Sequence, residues 1–309
     1  MKAMPHNFFI LRRFFLLCLI CSAAAGSEDP AKLGRQCQKK KKSACETLVT
    51  MSRRGDDSDA LIAAIGKLDN QEALASLATD ARDSSVRAAA VSRLNDQSLL
   101  ARITRTDGES EVLMAALARL SDQEAIYEVT TGATDRDVLT AALERLSDQS
   151  LLASFARARG FQDLRKLAAS KVTDQNQLAQ LARDAGESGV RIDAVGKLTD
   201  QTVLASIARD NSMGAVRKAA VDALREQAPL AEVAKTSSDP LTATAAAAKL
   251  ADQAFLADVA RFAGEWRVRA TAAARLTDQA VLSSIAADDR TENVRLAAAR
   301  RLAELRRSR

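Results

Sequence analysis

Reactive side chains are scarce in this chain, and most of them sit in one short stretch. The single histidine is His6, and two of the four cysteines are Cys18 and Cys21. All three fall within residues 1–26, which also carry Lys2, Arg12 and Arg13, an apolar centre from Phe14 to Ile20, and then Ser22-Ala23-Ala24-Ala25-Gly26. That is the layout of a secretory signal peptide, with cleavage expected after Ala25 or Gly26. The remaining 283 residues hold no histidine, two cysteines and six aromatics. A Ser-His-Asp triad, a zinc–histidine site and a Cys–His pair all lack parts there. No residue is assigned to catalysis, to a metal or to a cofactor, and the reading is of a non-enzyme.

Export would turn Cys37 and Cys45 into a disulfide, because an even pair of cysteines in an oxidising compartment usually bridges. On one continuous helix the two would stand about 12 Å apart, too far to bond. The bridge therefore requires a turn, for which Lys39-Lys40-Lys41-Lys42-Ser43 is the candidate. Residues 27–55 then read as an N-terminal cap stapled by Cys37 and Cys45. The same four lysines, Lys39, Lys40, Lys41 and Lys42, are candidates for contact with an anionic membrane or envelope polymer.

A row of cations recurs further on. Lys67, Arg93, Arg119, Arg145, Lys171, Lys197, Lys249, Arg275 and Arg301 share one phase, broken only at Ala223. Two readings apply. Each cation could suit the negative end of a helix and pair with an acid three residues on, such as Asp96 or Asp122. Alternatively Arg93, Arg119, Arg145, Lys171 and Lys197 form a strip that docks an acidic partner. Three aromatics, Phe161, Phe262 and Trp266, lie between predicted helices and join the partner-binding candidates, since aromatic residues and arginine are enriched at binding hot spots.

The elements that carry these residues come from an internal repeat. Gln71, Gln97, Gln123, Gln149, Gln175, Gln201, Gln227, Gln253 and Gln279 are spaced by 26 residues without an insertion. Three residues before each stands Leu or Val, from Leu68 to Leu276, and Leu302 keeps the phase. Four residues before that position is always Ala, from Ala64 to Ala298. Each unit reads as two short helices. The first ends on the phase leucine, with apolar residues three, four and eight back making one face, as Val86, Ala90 and Val91 do before Leu94. The second begins at the glutamine. Ser121, Ser147, Thr173, Thr199 and Thr277 are expected as its N-caps, with the following Asp in the first turn. Gly108, Gly160, Gly186 and Gly264 are expected to stop it. The glutamine amides are expected to bond backbone groups where neighbouring units meet.

A helix pair this short buries its apolar face only by stacking on the next, which is the logic of a solenoid. Val86-Arg87-Ala88-Ala89, Val216-Arg217, Val268-Arg269-Ala270 and Val294-Arg295 resemble the motif of HEAT repeats in their short bacterial form, over about residues 56–305. The repeats are also similar to the leucine-rich repeat variant. The resemblance implies an all-α fold, a right-handed αα-superhelix of about ten two-helix repeats spanning 56–309 with a basic C-terminal end. It implies a binding scaffold more often than an enzyme.

Charge agrees with an exported binding protein. The net +5 divides into +3 in residues 1–26, +5 in 27–55, −7 in 56–299 and +4 in 300–309. An acidic array with few aromatics argues against nucleic acid. The expectation is a monomeric periplasmic or secreted scaffold for a protein partner. The alternatives are a structural protein that binds envelope lipid or polymer, and a HEAT-like lyase-type enzyme.

Overall fold

The computed structural model describes residues 29–307 apart from residue 159, so the expected signal peptide lies outside the described residues. Among the described residues every regular element is an α-helix, and there are 21 of them. After two cap helices, Pro30–Gln38 and Lys42–Arg54, two kinds alternate. The leucine helices run from Ser58–Ile65 through Ser84–Val91 and Ser188–Lys197 to Glu292–Arg307. The glutamine helices run from Gln71–Asp80 through Gln97–Thr106 and Gln201–Asp210 to Gln279–Asp288.

The chain forms two compact units, dividing between Arg145 and Leu146. In the first, the cap helices pair with each other and pack on Ser58–Ile65 and Gln71–Asp80. From there each leucine helix packs on the next leucine helix, and Gln97–Thr106 packs on the next glutamine helix, Gln123–Gly132. The second unit repeats this scheme from Gln149–Arg157 onward. Both units are helical repeat solenoids. The ten phase alanines explain the close stacking, being 0–3% exposed; a larger side chain there would drive the leucine helices apart.

The pairing differs from the sequence reading. Each glutamine helix lies closest to the leucine helix after it, as Gln175–Asp184 does to Ser188–Lys197. The phase leucine therefore lies at a joint between pairs. Leu120, Val172, Leu198, Leu224 and Leu250 are C-cap residues in extended conformation, with ψ between 128° and 140°. Their side chains stay buried while the backbone leaves the helix.

The caps differ as well. The N-cap of the glutamine helix is the aspartate, not the Ser or Thr before it. Asp96 accepts from Ser98 N and Leu99 N at 2.9 and 3.1 Å, and Asp148, Asp200, Asp252 and Asp278 repeat this. Ionised aspartate matches the positive helix end better than a hydroxyl, and such a cap contributes about 1 kcal/mol. Gly108, Gly186 and Gly264 are not left-handed stops. The helices before them end one residue earlier, on extended Asp107, Ala185 and Ala263. Gly55, at φ 82°, does close the second cap helix in the left-handed conformation that glycine favours.

Candidate functional site

The predicted bridge is present. Cys37 and Cys45 are joined with their Cα atoms 4.8 Å apart, across a turn in which Lys40 takes φ 63°. Lys39 to Lys42 are all exposed there, and Lys42 approaches Glu46 at 4.0 Å. The cap is built in the repeat register. Cys45 stands 26 residues before Gln71, where a glutamine would be, and Gln38 does the work instead. Its Oε1 accepts from Asp69 N at 2.7 Å and its Nε2 donates to Asp69. A cleft of about 490 Å³ beside the bridge is lined by Lys40, Lys42, Cys45, Arg53, Asn70 and Glu72. Sequence spacing had no signal for it.

The glutamine row bonds as expected and recruits the displaced hydroxyls. Gln97 donates to Arg119 O at 3.1 Å, and its Oε1 accepts from Ser121 N and Ser121 Oγ. Gln149, Gln175 and Gln253 do the same with Thr173, Thr199 and Thr277. Each amide thus ties one joint to the next.

The predicted cation row turns to the backbone. Arg93 Nε donates to Leu68 O at 2.9 Å and Arg119 Nε to Leu94 O at 3.1 Å, while Arg145 Nη2 donates to Leu120 O. Lys197 Nζ reaches the carbonyls of Ala169, Ser170 and Val172, and burial pushes its pKa down. Lys249, Arg275 and Arg301 bond in the same way; Lys171 holds the equivalent register position. These seven bonded cations therefore satisfy free carbonyls at the end of the preceding leucine helix. Arg301 also pairs with the acid three residues later, Glu304, at 3.1 Å. Arg93 pairs instead with Asp69, one repeat back, at 2.6 Å.

A second row, legible only as the arginine of the Val-Arg motif, lies deeper. Arg269 is 2% exposed. Its guanidinium donates to Asp289 at 2.9 and 3.1 Å, to Thr291, and to the carbonyls of Ala263 and Gly264. Burial works to raise the Asp289 pKa, but bonds from Arg269 and the Thr291 amide outweigh it, so the carboxyl stays below its usual range. Arg87–Asp107 and Arg191–Asn211 are the same strut. Arg165 and Arg217 use Glu187 and Asp239, two residues further on, where Ala185 and Ser237 replace the acid. Where Leu113 and Ala133 replace both partners, a cleft of about 640 Å³ is lined by Arg105, Asp107, Leu113, Glu128, Ala133 and Thr134.

A third row escaped the sequence reading altogether. Eight residues after their glutamines stand Arg105, Arg157, Arg183, Arg209, Lys235 and Arg261, on the outer surface of the glutamine helices. Arg105 bonds Glu128 of the next helix, and the guanidinium pKa is raised by that contact. The 26-residue step is a detectable signal here, shared with the row beside the leucine.

The aromatics separate. Phe262 ends its helix 70% exposed, and Trp266 opens the next one, half-buried, with the Arg267 guanidinium 4.7 Å above its ring. These two flank one loop. Phe161 is 46% exposed and caps Gln162–Lys171 in another loop of the same unit. Among the described residues no cluster of three or more His, Cys, Asp or Glu could hold a metal ion, and no helix is long and apolar enough to cross a membrane. No family model matches the chain, and a search of curated proteins returns no match.

Proposed function

We propose that the chain is an exported, non-enzymatic, HEAT-like scaffold of bacterial type that binds another protein. The observation that carries this reading is an apolar edge on the second unit. Leu241, in the first turn of Pro240–Lys249, is 81% exposed, and Phe262, the last residue of Gln253–Phe262, is 70% exposed, beside the corresponding turns of successive repeats, and Trp266 opens the helix after Phe262 under Arg267. Exposed apolar surface marks interaction sites, and the Trp–Arg stack supplies the residue types enriched at binding hot spots. The polar rows nearest the core are occupied by bonds between repeats, which leaves this edge and the outer helix surface for a partner. The Cys37–Cys45 bridge supports export, because such bonds persist in oxidising compartments.

The test is affinity capture from the protein's own cells with the wild type and with a Leu241→Ser, Phe262→Ser double variant. Both positions are exposed, so helicity should be unchanged. A protein retained by the wild type and lost from the variant is the expected result. An identical set of captured proteins, or a wild type that retains only small molecules or glycans, would sink the reading.

A further inference from the structure

The outer cation row of the second unit has a spacing that a ligand can match. Arg157, Arg183, Arg209, Lys235 and Arg261 lie on five glutamine helices that pack side by side in chain order. Three inter-helix bonds fix their register. Arg157 Nη1 donates to Gln180 Oε1 at 2.9 Å, Arg209 donates to Glu232, and Lys235 Nζ donates to Asp258 at 2.5 Å. Each reaches the residue five after the next glutamine, so the row runs straight across the helices. At the same position opposite Arg183 and Arg261 stand Ser206 and Ser284, and no ion pair is formed by either arginine among the described residues. Both arginines are exposed.

Packed helices lie about 8–10 Å apart, so the cations recur at about that step. A peptide in the polyproline II conformation advances about 3.1 Å per residue with three residues per turn, so every third side chain lies on one face and meets the next cation. The sign between cations also matters. Asp184, Asp210 and Glu232 are exposed beside the row, and Asp258 is half-exposed. A polymer or bilayer with uniform negative charge would set anions against these acids. A chain with carboxylates at intervals would not. The ion pairs already present are exposed and therefore weak, so an incoming carboxylate can replace them. At the end of the row Phe262 follows Arg261 directly and offers an apolar contact.

We propose that this row binds an extended acidic peptide, lying across the glutamine helices of the second unit with a carboxylate at every third residue. The proposal rests on the protein-binding reading above and names the chemistry of the partner segment. The probe is a labelled peptide of five Glu-Pro-Pro repeats, titrated into the full chain by fluorescence anisotropy at low salt. The control peptide has the same composition with its glutamates in one block. The spaced peptide should bind at least about tenfold more tightly than the block, and Arg183→Glu with Arg261→Glu should weaken it at least about tenfold. Arg183→Gln with Arg261→Gln gives the same answer if charge reversal disturbs folding, and Lys40→Gln with Lys41→Gln should change nothing. Equal affinity for both peptides overturns the proposal. So does indifference to the arginine variants, or binding of anionic phosphatidylglycerol vesicles that depends on the same arginines. If capture yields a partner that depends on Phe262 while the spaced peptide fails, this proposal falls and the scaffold reading stands.

Discussion

Two cation rows of this protein look alike in sequence and behave oppositely in space. One precedes the phase leucine and includes Arg93, Arg119 and Lys197; the other follows the glutamine by eight residues and includes Arg157, Arg183 and Arg261. Both repeat every 26 residues. The first bends back about one repeat onto leucine-helix carbonyls and is part of the joint. The second leans forward to the next glutamine helix or stands free in water. The first fills orphan acceptors that the fold itself creates, so its loss leaves a buried carbonyl without a donor. The second makes only exposed contacts. Periodic charge alone is therefore no sign of a binding strip; what matters is whether the backbone already uses it.

Mutation can break that contrast or sharpen it. The largest effect is expected at the buried strut, the extreme of the inward class. Arg269→Met leaves the Asp289 carboxylate without its partner, and chemical denaturation should show a loss of about 3–5 kcal/mol. The pH dependence has a definite sign. The Asp289 pKa is lowered by folding, so its contribution is present above the unfolded value of about 3.9 and is lost as pH falls through the folded value. Wild type should lose this stability below about pH 4, and an Arg269→Met, Asp289→Leu double variant should lack that component. Next comes Arg119→Met, which strips Leu94 O of its donor and should cost about 1–3 kcal/mol by the same assay. Smallest is Arg183→Met in the outer row, with a change within about 0.5 kcal/mol. A loss at Arg183 as large as that at Arg119 would erase the distinction between the rows.

The sequence made the architecture plain because period and burial are local properties. Ala90, Leu94 and Gln97 recur at fixed offsets, and each offset maps onto one face of one helix. The disulfide was legible for a similar reason, since only a turn lets Cys45 reach Cys37. Partners one repeat away were not legible. Leu68 O, the acceptor of Arg93, lies 25 residues back, and a backbone carbonyl leaves no mark in a sequence. The choice of Asp96 over its preceding residue as N-cap was hidden because both types cap helices well. The exposed row was readable but bland, since exposed cations on a helix surface are the ordinary case. Only Ser206 and Ser284, set against Gln180, Glu232 and Asp258, mark it as incompletely paired.

The reach of the joint bonds has a consequence for length. Gln175 bonds Thr199, Gln201 bonds the Arg225 amide, and Lys249 bonds Leu224 O; none of these spans more than one repeat. Excising residues 201–226 would bring Gln227 directly behind Asp200, where Gln201 now stands, and would leave every remaining joint with a glutamine, a cation and a leucine in register. The molecule is thus assembled like a ruler marked in interchangeable segments: whole segments can be removed or duplicated, whereas a cut of any other length would misalign all three marks at once.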